Sequence, residues 1–208
     1  MQIQRNPFST CFTEPGKLSY IFAEPEDQNR LLIEFERNGF KGQIVGPHGC
    51  GKTTLSMTLA DHLPPQFSSI RRITLRKDGG IATESRLLDH QYLNKSTFLV
   101  IDGIENMPWL HRKVFLKFAQ QASGGLLLTT HQPLKGIPVL LHINPTFTIF
   151  RRIVSHISPD HEFGEYQLEQ IFEQNDCSIR ESLMSLYTLW QVHKQSFTPL
   201  RDTQSAQI

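Results

Sequence analysis

The 208-residue sequence predicts an α/β fold, with a mainly parallel sheet covered by helices on both faces and a small helical segment following it. Three observations predict this. Apolar strand-like runs alternate with segments of helical period along most of the chain. One run, Phe98-Leu99-Val100-Ile101, has no polar interruption, as expected of a strand buried on both faces. A third feature, Gly46-Pro47-His48-Gly49-Cys50-Gly51-Lys52-Thr53, reads G-x-x-x-x-G-K-T and joins an apolar run to a helical one.

In chain order, Pro7, Pro15, Gly16 and Pro25 make residues 1–25 an irregular arm that packs on the domain. Asp27 to Asn38 predicts a helix with Leu31, Leu32 and Phe35 on one face, stopped by a left-handed turn at Asn38-Gly39. Gln43-Ile44-Val45 reads as a buried strand. Thr53 to Leu63 follows as a helix with Leu55, Leu59 and Leu63 apolar, and Pro64-Pro65 ends it. Ile70 to Leu75 is a second strand, and Asp78-Gly79-Gly80 a turn.

Thr97 to Ile101 is the next strand and ends in Asp102. Met107 to Gln121 predicts a helix turning Leu110, Val114, Phe115 and Phe118 to the sheet. Leu126 to Thr130 is another strand, and Phe147 to Phe150 reads as a fifth. From Asp160 the pattern becomes helical. Tyr166, Leu168, Ile171 and Phe172 mark one helix, and Ile179, Leu183, Leu186, Tyr187 and Trp190 another, linked through Gln174 to Ser178. The polar stretch Gln195 to Ile208 reads as a disordered tail. The expected boundaries are an arm at 1–25, a core at 26–158, a helical lid or cap at 159–194 and a tail at 195–208.

Composition narrows the function classes. At 38% hydrophobic and 20% charged residues the chain predicts an ordinary soluble globular protein. A net charge of +1 makes no electrostatic case for a nucleic-acid partner. The basic cluster Arg71, Arg72, Arg76 and Lys77 is either a solvated strand end or an anionic-partner patch. Cys11, Cys50 and Cys177 lack metal-ligand spacing and are odd in number, which predicts a reducing, cytoplasmic setting without a disulfide framework. The first residues lack the apolar run of a signal peptide. No apolar stretch reaches the roughly 18 residues of a spanning helix, so no membrane association is expected.

The glycine loop carries the chemistry. Its glycines let the backbone of Gly46, Pro47, His48, Gly49, Cys50, Gly51, Lys52, Thr53 and Thr54 wrap a di- or triphosphate with its N–H groups. Lys52 can reach the β- and γ-phosphates, and the Thr53 hydroxyl can help to hold Mg²⁺. The pattern alone occurs by chance, but strand, glycine loop and helix together put a helix N-terminus against the phosphates.

Other polar residues join it. Gly46, Asp102 and Thr130 fall at or just beyond the carboxyl ends of strands, the edge where open α/β sheets bind ligands. Asp102 is either a magnesium ligand or a helix N-cap. Glu105 is either the group that orients or deprotonates water or a first-turn glutamate placed for the helix dipole. Strand alternation lets only one of Thr129 and Thr130 face the site, and Thr130 is the candidate. His131 is a further polar candidate, and His48 could contact phosphate. Positive charge for a transition state could come from Arg180, or from Arg151-Arg152.

With these residues in place, the chain resembles the P-loop NTPases, and within them the branch with a strand between the phosphate-loop strand and the Walker B strand, which includes the AAA+ and related ATPases. The likeness covers about residues 40 to 150 and is specific at Gly46 to Thr54 (Walker A) and Leu99 to Asp102 (Walker B). It implies a three-layer P-loop NTPase fold with ATP and Mg²⁺ bound. By the same likeness Thr129 or Thr130 matches the polar sensor 1 position, and Asn175 to Glu181 resembles the start of a lid helix with Arg180 as the sensor 2 arginine.

The chain also departs from that pattern. Gly103 stands where the family usually has a glutamate after the Walker B aspartate, and the chain is short for a full module with its lid. Asn94-Lys95-Ser96-Thr97 lacks the aspartate that reads guanine, and Ser123-Gly124-Gly125 follows rather than precedes Asp102, unlike the ABC signature. ATP is favoured over GTP by elimination. The expected function is a Mg-dependent ATPase that drives a conformational change in a protein partner or a homo-oligomer. Two alternatives stand beside it: a small-molecule or nucleoside kinase, for which Asp160 to Lys194 offers only Arg180 as a lid arginine, and a nucleotide-binding switch without turnover.

Overall fold

Five strands pair in one all-parallel sheet among the described residues: β1 (Lys41–Val45), β2 (Ser69–Thr74), β3 (Thr97–Asp102), β4 (Gly125–Thr130) and β5 (Val139–His142). Their order is β2–β3–β4–β1–β5, so β4 lies between β1 and β3. This computed structural model describes residues 5–75 and 93–196. The helices are α1 (Thr10–Thr13), α2 (Asp27–Arg37), α3 (Lys52–Ala60), α4 (Trp109–Ala122), α5 (Phe147–Ile157), α6 (Glu165–Gln174) and α7 (Ile179–Ser196), with a 3₁₀ turn at Ile104–Asn106. No helix among the described residues is long and apolar enough to cross a membrane.

Strand alternation builds a layer on each face of the sheet. Phe98 and Val100 of β3, Leu127 of β4 and Ile44 of β1 pack with Leu31 and Phe35 of α2 and with Leu55 and Leu59 of α3. Leu99, Ile101, Leu126 and Leu128 face the other way and pack with Phe115 and Ala119 of α4. Truncating one of these buried leucines to alanine costs about 2–5 kcal/mol, through lost transfer energy and the cavity left behind. The unbroken apolar run of β3 is thus explained by two covered faces.

Local chemistry sets the entry into the sheet. Gly39 (φ 63°) and Phe40 (φ 56°) both take left-handed backbone after α2. Phe40 N–H then donates to Phe35 O at 2.9 Å, and Phe40 O accepts from Leu126 N–H at 2.8 Å. The helix stop therefore delivers the chain directly to β4. Helix α3 ends at Ala60, several residues before Pro64-Pro65, so the prolines only prevent its resumption.

Two expectations need correction. Phe147 to Phe150 is not a strand but the first turn of α5, whose N-cap Thr146 accepts Ile149 N–H at 3.3 Å. The fifth strand is Val139–His142, a run of four residues that pairs with β1. Aromatic and β-branched residues gave Phe147–Phe150 a strand-like look, but Phe150 and Val154 one helical turn apart form the buried face. The second correction concerns α4. Phe115 and Ala119 meet the sheet, whereas Leu110 is 56% and Val114 65% exposed. The apolar row Leu110–Val114 lies one position around the helix from the row the sheet takes, and Phe118 is only half-buried.

Helices α5, α6 and α7 have a core of their own in Phe150, Val154, Leu168, Ile171, Phe172, Leu183 and Leu186. Phe150 stacks on Phe172 with ring centroids 5.2 Å apart. This cluster takes in α5, before the expected boundary at 158, together with α6 and α7 after it. The arm joins it too: Phe8 is buried there and Asn6 donates to Tyr187 O at 2.9 Å. Tyr166, expected on the packed face of α6, is 72% exposed. Arg71 and Arg72 lie exposed on the edge strand β2. Arg76, Lys77, the Asp78-Gly79-Gly80 turn and the tail beyond Ser196 fall outside the described residues.

Candidate functional site

β1 ends at Val45 and the chain turns at once into the glycine loop, which closes at Lys52 with the start of α3. Gly49 (φ 70°) and Gly51 (φ 96°) take left-handed backbone that residues with a Cβ resist. At Gly49 space is also short: a Cβ there would lie 2.2 Å from Ser178 Oγ. The C-terminal helices thus meet the loop directly, and Arg180 N–H donates to Gly49 O at 3.3 Å.

Lys52 is buried and folded into the loop, donating Nζ to Gly46 O at 2.8 Å and Pro47 O at 2.6 Å. Burial pushes its pKa below the ordinary lysine value, and the charge of Arg180 adds to that. Cys50, Glu105 and Asp102 oppose the shift. Arg180 is exposed and stands beside the loop, its Cβ 3.2 Å from where a Cβ on Gly49 would lie. Arg151 and Arg152 serve elsewhere on α5: Arg151 pairs with Glu165, and Arg152 donates to Ala23 O at 2.7 Å.

Asp102 closes β3 and faces α3. Thr53 Oγ1 donates to its Oδ2 at 2.8 Å, and Thr129 Oγ1 donates to its Oδ1. Thr129 in turn accepts Gly103 N–H at 3.2 Å. The Ile101–Leu128 pairing of β3 and β4 sets these next residues side by side. Thr130, the threonine expected at the site, uses its side chain locally. Its hydroxyl donates to Gln132 O at 2.9 Å and caps the end of the strand. Asp102 is not a helix N-cap; Gly103 holds that place before the 3₁₀ turn. Thr54 follows, half-buried, on the first turn of α3.

The pair Thr53 and Asp102 suits a hard cation. Among the described residues no cluster of three His, Cys, Asp or Glu could hold a metal ion. Two protein oxygens in contact fit Mg²⁺, which dehydrates reluctantly and takes its remaining ligands from water and phosphate.

Gly103 has a physical reason to be glycine. Its φ is 78°, and a Cβ would lie 2.8 Å from Leu75 O and 3.0 Å from Asn106 Nδ2. A side chain directly after Asp102 is therefore opposed by backbone conformation and by space. Glu105, on the 3₁₀ turn, is the next acid. Its Oε1 lies 3.2 Å from His131 Nε2, and its Oε2 is buried without a hydrogen-bond partner among the described residues. The His131 ring meets the exposed His48 edge to face, with centroids 4.1 Å apart.

Sequence reasoning missed Tyr20 and the link between Glu105 and His131. Tyr20 comes from the arm, and its ring would be 3.5 Å from a Cβ on Gly51. Burial, with Cys50 beside it, pushes its phenol up to about 12. The Glu105–His131 contact had a signal, since both residues lie just past the carboxyl ends of neighbouring strands. The sequence was compared with models of known protein families and with curated proteins, and neither comparison found a match.

Proposed function

We propose that the chain binds a nucleoside triphosphate with Mg²⁺ at the Gly46–Thr54 loop, ATP in preference to GTP, and hydrolyses it to move the C-terminal helices against a protein partner or a second copy. On this reading the α/β core is a three-layer P-loop NTPase fold of the AAA+-like branch. The observation that carries the proposal is the 2.8 Å contact between Thr53 at the loop and Asp102 at the end of β3. It brings the two oxygens a phosphate-bound Mg²⁺ needs to the mouth of a glycine loop.

The remaining residues fit that chemistry. Backbone N–H groups and the α3 N-terminus favour polyphosphate, and Lys52 adds charge at the β- and γ-phosphates. Mg²⁺, when bound, neutralises charge developing on the phosphate oxygens. Glu105 takes a proton from water as its oxygen attacks the γ-phosphorus. The bond to the β–γ bridging oxygen breaks, and ADP and phosphate leave. Arg180 stabilises charge on the transferring group, and the Gly49–Arg180 contact ties that event to α7.

A second reading has its own observation. Gly103 removes the usual position for a catalytic carboxylate, which favours a nucleotide-binding switch without turnover. One experiment separates the two: ATP binding and phosphate release with Mg²⁺, beside Lys52→Ala. Binding and turnover, both lost in the variant, support the ATPase. Binding without release supports the switch, and no binding by a folded wild type ends both readings.

A further inference from the structure

We propose that His131 is a positioning residue for Glu105: it holds the carboxylate in place so that Glu105 can act as the base, and His48 links this pair to the phosphate loop. The proposal rests on the hydrolysis reading given above. Three observations converge on it. His131 Nε2 lies 3.2 Å from Glu105 Oε1, within reach of an N–H···O bond. Glu105 Oε2 is buried with no partner among the described residues, although a carboxylate oxygen out of water ordinarily has one. The His48 ring, from the loop itself, lies against His131 with centroids 4.1 Å apart and planes at 78°.

Without a second contact Glu105 would be poorly held. It lies on a three-residue 3₁₀ turn after a left-handed glycine, too short an element to fix a side chain by its own packing. His131 comes from another element, the end of β4, so the carboxylate is fixed from outside its own segment. A base fixed in this way loses less orientation on reaching the transition state. His48 belongs to the loop that wraps the phosphates, so filling the loop reaches His131 through a ring contact rather than through solvent.

The test uses the full chain and His131→Ala, His131→Gln, Glu105→Gln and the double variant His131→Ala/Glu105→Gln. Phosphate release, affinity for a fluorescent ATP analogue and imidazole ¹⁵N shifts are recorded. His131→Ala is expected to lower kcat on the order of tenfold to a hundredfold with affinity unchanged within about threefold. His131→Gln, which keeps an N–H donor, regains part of the loss. The double variant is no slower than Glu105→Gln alone. Glu105→Gln also moves the His131 ring shifts in nucleotide-free protein, a readout independent of turnover. Undiminished turnover in His131→Ala, additive losses in the double variant, or unmoved ring shifts would overturn the positioning role alone. A wild type that binds ATP without turnover ends the hydrolysis reading and this role together.

Discussion

The Thr129 hydroxyl donates to Asp102 Oδ1 while accepting the N–H of Gly103, the residue that follows Asp102. One threonine on β4 thereby fixes both the side chain and the exit direction of β3. Thr129→Val leaves two polar groups without this partner and is expected to lower stability by about 1–3 kcal/mol. On the proposed reading it is also expected to weaken Mg²⁺-dependent nucleotide binding, because Asp102 is then held by Thr53 alone. Urea unfolding and binding with and without Mg²⁺ measure both effects. Thr130→Val is the control: it disturbs the turn to Gln132 and leaves the metal dependence unchanged.

Gly103→Glu supplies the acid that the resemblance to P-loop NTPases leads one to expect after Asp102, and is expected to cost stability rather than create a catalyst. Left-handed φ and the 2.8 Å approach of Leu75 O oppose any side chain there. The expected loss is about 2 kcal/mol or more, seen as a lower unfolding midpoint. A variant as stable as wild type would show that the β3 exit can rearrange.

On the proposed reading, Lys52 should make nucleotide affinity depend on pH. Its folded-state pKa lies below the ordinary value, chiefly through burial. In the free protein, stability therefore rises with pH between the lowered pKa and the ordinary one, where the unfolded chain binds more protons. Bound polyphosphate favours the ammonium and raises that pKa. Affinity is then full below the free-state pKa and falls as pH rises through it. Titration calorimetry in alkaline buffers of different ionisation enthalpy should show proton uptake on binding.

The three thiols divide by burial. Cys11 and Cys177 are exposed, whereas Cys50 is buried and its pKa is raised, with burial the leading cause. Native protein should take up two equivalents of iodoacetamide quickly by mass spectrometry, and the third only on unfolding. Rapid labelling of Cys50 would mean that the glycine loop opens in solution.

Much of the core could be read from local pattern. The β3 run, the helix over Asp27–Arg37 and the loop between β1 and α3 each follow from residue period or glycine freedom within a few positions. Phe147–Phe150 failed because a four-residue apolar run fits strand and helix alike. Its deciding neighbours, the Thr146 cap and Val154 one turn on, lie outside the run. The packed row of α4 failed for a related reason, since two adjacent rows were apolar and only the sheet could choose between them.

By itself the sequence determined the alternation of strands and helices, the turn at the glycine loop and the arrival of Asp102 and the threonine pair at one sheet edge. These depend on side-chain period and backbone freedom, which act over a few residues. Tertiary structure alone decided which threonine reaches Asp102, that Glu105 meets His131, and that α7 begins against Gly49. Those contacts join residues far apart in the chain, and their geometry is set by strand register and packing, which no local pattern encodes.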